Sequence, residues 1–113
     1  AERFSPLGKV TLCAPDGTCA EAVDLIVNST SAGLTVATPP PVPVGALGVN
    51  TSCYDLVYGS RETPFLRWAR EQGVARRADG LGMLVEQAAA AFTRWHGLEP
   101  ETMSVTKALR ERL

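Results

Sequence analysis

The sequence predicts an α/β chain: a mostly parallel sheet with flanking helices. Three observations carry that reading. Short strand-like runs and longer segments of 3.6-residue apolar period follow one another in the order β–β–β–α–β–α–α. The run "AVDLIVN" (22–28) is almost continuously apolar, as in a strand covered on both faces. The helical segments are bounded by residues that start and stop helices.

"AERF" at the start has the composition of a helix tail. "KVTLCA" (9–14) is a β-branched run that predicts a short strand. "PDGTC" has turn chemistry. After the strand at 22–28 comes "STSAG" (29–33), a loop of small hydroxylated residues. "TPPPVPVGALG" (38–48) is too rich in proline for a sheet interior. "VNTSCYDLVY" (49–58) resumes a strand. In "TPFLRWAREQG", Thr63 can cap a helix, Pro64 suits its first position and Gly73 can end it in the left-handed conformation. Phe65, Leu66, Trp68 and Ala69 form the apolar side of that helix. "VARRADG" (74–80) is a weaker strand. "LGMLVEQAAAAFTRWHG" carries Leu81, Leu84, Val85, Ala88, Phe92 and Trp95 on one stripe, and Gly97 stops it. The last helix, "SVTKALRERL", has Val105, Ala108, Leu109 and Leu113 on one face, with Ser104 as its expected cap.

Composition excludes several functions. The 113 residues are about one domain's worth, and 45% of them are hydrophobic. Lys plus Arg is 11 against 12 for Asp plus Glu, so no basic field exists to hold a nucleic-acid backbone. No apolar run reaches the about 18 residues of a membrane span, and the first residues lack a secretory apolar stretch. Cys13, Cys19 and Cys53 are an odd number without metal-ligand spacing, and His96 stands alone. They read as reduced, buried thiols and a surface imidazole in a cytoplasmic protein, with no metal.

In a parallel sheet, ligands lie outside the carboxyl ends of the strands. Three such ends carry chemistry. "NSTSAG" offers Ser29, Thr30 and Ser31, "DLVYG" offers the hydroxyl of Tyr58, and "DGLGM" offers Gly80 and Gly82. The glycines let a flat ligand approach the main chain, at the positive end of the following helix. Gln87 lies at the edge of the apolar stripe, where its amide can donate and accept at once, as a polyhydroxylated ligand requires. Each feature alone has a plain alternative: a turn, a steric glycine, a solvated flank.

Together, "DLIVNSTSAGL", "YDLVYGSRETPFLRWAREQG" and "ADGLGMLVEQAAAAFTRWHG" resemble the carboxyl-terminal, NADP-binding half of shikimate dehydrogenases, in order and at the right spacing over nearly the whole chain. The resemblance implies a partial Rossmann-like domain, its strands equivalent to 3 to 6 of a six-stranded cofactor domain. It implies NADPH-dependent reduction of 3-dehydroshikimate to shikimate in aromatic amino-acid biosynthesis. Ser29, Thr30 and Ser31 would line the ribose and phosphate side of NADP. Leu56, where the family commonly has Met, would touch the nicotinamide. Gly80 would let the carboxamide reach the backbone, and Met83 would pack on the ring. Tyr58 and Gln87 would bind the substrate. Asp55 and Asp79 read as structural or capping groups.

The same resemblance marks what these residues do not match. The amino-terminal substrate domain with its Lys–Asp acid–base pair, the glycine-rich phosphate turn and the Asn-Arg-Thr segment find no counterpart, so no catalytic residue is assigned. Residues 1–113 are expected to be an incomplete NADP-binding domain plus carboxyl-terminal helices, inactive alone. Strand 22–28 would then present an open apolar edge, which invites pairing with another chain or a homo-oligomer. Taken alone, the 113 residues are not expected to fold as a stable monomer. Two alternatives stand beside this reading: a quinate/shikimate dehydrogenase using NAD, and a non-catalytic interaction fragment in which "PPPVPV" serves as a polyproline II ligand.

Overall fold

The protein is described by a computed structural model, which places residues 2–14, 17–19, 21–31 and 38–113. Its sheet has three strands, β1 (Leu25–Asn28), β2 (Ser52–Asp55) and β3 (Arg76–Asp79), in that spatial order and all parallel. The helices are α1 (Pro64–Glu71), α2 (Leu81–His96) and α3 (Met103–Arg110), and a 3₁₀ helix spans Glu2–Leu7. The predicted α/β class with a parallel sheet therefore holds.

Helix α1 forms as its sequence dictates. The Thr63 hydroxyl accepts from the N–H of Leu66 at 3.3 Å, and Pro64 opens the first turn. Phe65, Leu66 and Ala69 are buried on the side that faces the sheet. Gly73 and Gly97, with φ of 82° and 69°, follow α1 and α2 in the left-handed region that other residues rarely enter.

Register decides where the core lies. Ile26, Cys53 and Arg77 form one row across the sheet, and Asn28, Asp55 and Asp79 form another on the same face. On this face Cys53 meets Phe65, Leu66, Ala69 and Val74, with Ile26, Val42, Leu47 and Trp68 packed around them. The rings of Phe65 and Trp68 stack with centroids 5.8 Å apart. The other face carries Leu25, Val27, Ser52, Tyr54, Arg76 and Ala78. There Leu25 and Val27 remain 55% and 47% exposed, although their sequence is that of a strand covered on both sides. With one face bare, the radius of gyration is 16.5 Å, against roughly 13 Å for a well-packed domain of this length.

Several expectations are corrected. Residues 9–14 form no strand, and Val10 and Leu12 are exposed; with them Cys13 is exposed and Cys19 half-buried, so only Cys53 of the three thiols is buried as expected. A β-branched run becomes a strand only beside a neighbour that supplies ladder bonds, and no described strand lies beside this one. Among the described residues, an isolated parallel bridge follows only later in the chain, between Thr18 and Val44. The sheet thus has the strands expected as 4, 5 and 6, without the one expected as 3. The proline-rich segment belongs to no strand, as its composition predicts. Val42 and Leu47 pack on the core, and the carbonyls of Val44 and Ala46 accept from Cys19 and Val23 at 2.8 and 2.9 Å. Ser104 does not cap α3 but lies inside it. The Glu101 carboxylate does the capping, accepting from the N–H groups of Met103 and Ser104 at 2.7 and 2.9 Å. On α2, Leu81 and Val85 are buried while Trp95 is 77% exposed, so the predicted stripe is covered at its start and open at its end. Parts of "PDGTC" and "STSAG", and Ala1 of "AERF", lie outside the described residues; the rest of "AERF" belongs to the 3₁₀ helix.

Phe65 is the largest fully buried apolar side chain of the core. Phe65→Ala is expected to lower stability by about 3–5 kcal/mol, a large part of the roughly 5–15 kcal/mol typical of a folded domain. Urea unfolding checks this; an unchanged midpoint would place the core elsewhere.

Candidate functional site

The three strands end level with one another, at Asn28, Asp55 and Asp79. Asp55 is 0% exposed and accepts three hydrogen bonds: from the Asn28 amide at 3.0 Å, the Thr63 hydroxyl at 2.5 Å and the Val57 N–H at 3.1 Å. Asn28 in turn accepts, through Oδ1, from the N–H and hydroxyl of Thr30 at 3.1 and 2.7 Å. One carboxylate thereby fixes the exit of β1, the exit of β2 and the start of α1. The reading of Asp55 as structural agrees with this geometry.

Asp79 plays the corresponding part at β3. Its Oδ1 accepts from the Leu81 N–H at 3.2 Å, at the start of α2. Both its oxygens face the Arg110 guanidinium, each at 2.6 Å. Burial pushes the Asp79 carboxyl up, but the hydrogen bonds from Arg110 and Leu81 and the Arg110 charge outweigh this and hold it below its usual value. The hydrogen bond to Asp79 likewise raises Arg110. Folding lowers the Asp79 pKa, so the stability it contributes is present above its unperturbed value of 3.8 and is lost as pH falls through the lower folded value.

Between these two carboxylates the end of β2 meets the start of α2. The Gly80 N–H points at the Val57 carbonyl, 3.4 Å away. A Cβ on Gly80 would lie 2.1 Å from the Leu56 carbonyl oxygen and 2.7 Å from its carbon. The missing side chain at Gly80 is therefore required by the protein's own backbone. Gly82, by contrast, has nothing within 4 Å of where a Cβ would stand.

The site residues expected from sequence sort into two groups. Leu56 and Gly80 are in contact, and Met83, 42% exposed, opens into a cleft that Tyr54, Asp79, Gly82 and Arg110 also line. Tyr58 is 40% exposed on the loop whose neighbours Val57 and Gly59 are held toward Gly80 and Arg110. Gln87 is exposed one turn beyond Met83, and seven residues, about 10 Å, along the axis from Gly80. Gly80, Met83 and Gln87 thus follow one another along one side of the helix. Ser29, Thr30 and Ser31 are exposed at the end of β1, in a group of their own. Asn28 and Arg110 are structural partners of the site that sequence reasoning did not single out, and Thr63, expected as a helix cap, also donates to Asp55. Asn28 had a faint signal, as the one amide ending an apolar strand. Arg110 had none, because it lies 31 residues from its partner. Among the described residues, no group of His, Cys, Asp and Glu could hold a metal ion, and no helix is long and apolar enough to cross a membrane.

Gly80→Ala is expected to cost about 1–3 kcal/mol, because either β2 or α2 must move. Gly82→Ala is expected to add about 0.5–1 kcal/mol of stability. Paired thermal melts check the contrast; equal effects would mean that the contact with Leu56 is not tight.

Residues 80–110 match the family described as the shikimate 5'-dehydrogenase C-terminal domain. A shikimate dehydrogenase (NADP(+)) of Alkalilimnicola ehrlichii is 53% identical over 87 residues, covering 77% of this chain and 32% of that protein. One of Cellvibrio japonicus is 44% identical over 113 residues, covering 100% of this chain and 41% of that protein. The chain thus spans about a third to two-fifths of the length of these curated relatives. Among solved structures, an Ael1 enzyme from Pseudomonas putida is 54% identical with a TM-score of 0.70, over 80% of this chain and 33% of that one. A 5-ketofructose reductase of Gluconobacter is 28% identical with a TM-score of 0.74, over 94% and 38%. A shikimate dehydrogenase in complex with NADP+ is 33% identical with a TM-score of 0.68, over 80% and 32%. The resemblance to the carboxyl-terminal half of shikimate dehydrogenases holds in sequence and in fold.

Proposed function

We propose that this chain is the nicotinamide-facing part of an NADP-dependent oxidoreductase that reduces 3-dehydroshikimate to shikimate. The observation that carries the reading is the junction of β2 and α2. There Leu56 and Gly80 touch and Met83 stands open beside them, in a chain 53% identical over 87 residues to a curated shikimate dehydrogenase. NADPH, when bound, supplies a hydride.

The residues fit that group. Leu56 and Met83 offer an apolar, partly polarizable surface to a flat ring. The Gly80 carbonyl accepts from Leu84 at 3.0 Å and keeps a second lone pair for a carboxamide N–H. Ser29 and Ser31 are exposed for the ribose and phosphate side, with Thr30 steadied by Asn28. Tyr58 and Gln87 are assigned to substrate hydroxyls; the about 10 Å from Gly80 to Gln87 leaves room for two small rings side by side. No residue here is assigned the acid–base step. Residues 1–113 are read as part of a cofactor-binding domain with carboxyl-terminal helices. Its bare sheet face and the edge of β1 would lie against further protein or a second copy. The free thiols of Cys13, Cys19 and Cys53 favour a cytoplasmic setting.

A second reading rests on the 5-ketofructose reductase likeness: the same half-fold would serve another hydroxylated ketone. Consumption of NADPH by the full-length protein with 3-dehydroshikimate, 5-ketofructose or no ketone separates the two. NADH and quinate in parallel test the NAD-linked alternative. Under the leading reading, Tyr58→Phe raises the KM for shikimate about 3- to 10-fold, the worth of one neutral hydrogen bond, and leaves the KM for NADP+ unchanged. Absence of any NADPH consumption with 3-dehydroshikimate would defeat the proposal.

A further inference from the structure

We infer that Arg110 is a positioning residue for this site, an inference that rests on the function proposed above. Its guanidinium joins three segments. Nη1 and Nη2 each donate to a different oxygen of Asp79 at 2.6 Å, and Nη1 also donates, at a long 3.4 Å, to the Gly59 carbonyl. Asp79 holds the first N–H of α2 and immediately precedes Gly80. Gly59 immediately follows Tyr58. The fork therefore spans the loop assigned to the substrate and the helix start assigned to the cofactor.

Helix α3, which carries Arg110, has no buried residue, so packing alone anchors it weakly. What the fork adds is a fixed distance between Tyr58 and Gly80. A planar, two-pronged donor can grip a carboxylate bidentately while reaching a carbonyl. Lysine, with one compact ammonium, reproduces the charge without the fork. Hydride transfer needs the two rings in register, and a displacement of about 1 Å can lower turnover about a hundredfold. Arg110 thus acts on turnover through the loop and the helix start, without touching either ligand.

The test uses the full-length protein and four forms: wild type, Arg110→Ala, Arg110→Lys and Glu101→Ala. Glu101 caps α3 through the N–H groups of Met103 and Ser104, away from the Arg110 fork, so its loss weakens the helix while leaving the fork in place. Steady-state kinetics are measured below the melting temperature of the least stable form. Expected are a fall in kcat of about tenfold or more for Arg110→Ala, an intermediate value for Arg110→Lys, wild-type kcat for Glu101→Ala, and an unchanged KM for NADPH. Wild-type kcat in Arg110→Ala would overturn the inference, as would an equal fall in Glu101→Ala. A wild-type protein that does not turn over 3-dehydroshikimate would remove the functional reading, and this inference with it. If Arg110→Ala does not fold, Arg110→Lys decides: a folded Lys form with wild-type kcat overturns the inference, and a reduced kcat supports it.

Discussion

Much of the architecture depends on one buried carboxylate. Asp55 ends the central strand with no exposed surface and takes hydrogen bonds from Asn28, Val57 and Thr63. A buried polar atom without partners is costly, so each donor is held to its place by the need to satisfy this group, and is itself satisfied by it. Among the described residues, no buried side-chain nitrogen or oxygen lacks a partner. From this point order spreads outward. Asn28 steadies the turn after β1 through Thr30, and Thr63 aligns the first turn of α1, whose Phe65 and Leu66 then close the core over Cys53. Burial also pushes the Cys53 thiol up, against the lowering by Arg77 nearby, so this sulfur behaves as a packing atom and not as a nucleophile.

Stability is unevenly distributed around that point. The layer between the sheet and α1 contains most of the buried apolar side chains. The groove between α2 and α3, lined by Leu84, Val85, Ala88, Phe92, Val105 and Leu109, stays partly open to solvent. Elements with few buried contacts open at low free energy, so α3 and the end of α2 are expected to open more readily than α1. The candidate site lies at the seam between the stiff layer and the looser helices, with its donors on strand ends and its exposed side chains on the loop and helix beside them.

How much of this was legible depended on whether the signal was local. Thr63, Pro64 and Gly73 announced α1 because capping and proline chemistry act within one turn. Apolar runs announced β1 and β2, although each proved shorter than its run. Residues 9–14 misled, because strand propensity is a statement about fitting a neighbour, and the neighbour is not written in the run itself. Ser104 misled for a related reason: a hydroxyl is a fair cap, but the helix starts before it, where the Glu101 carboxylate accepts from the N–H groups of Met103 and Ser104 with a full charge. The pairings of Asn28 with Asp55 and of Arg110 with Asp79 join residues 27 and 31 apart, and a single sequence contains nothing that ties them. The candidate site residues were chosen through blocks of resemblance, and the physical need for glycine at position 80 is visible only through the fold.

That need has a lopsided result for the two positions involved. The obstruction above Gly80 is main chain belonging to Leu56, whose carbonyl stands there whatever side chain the residue bears. Position 56 is therefore free to exchange one bulky apolar group for another without disturbing the junction. Position 80 has no such latitude. Adjacent in space, one is open to variation and the other locked, and the lock is what makes the freedom next to it harmless.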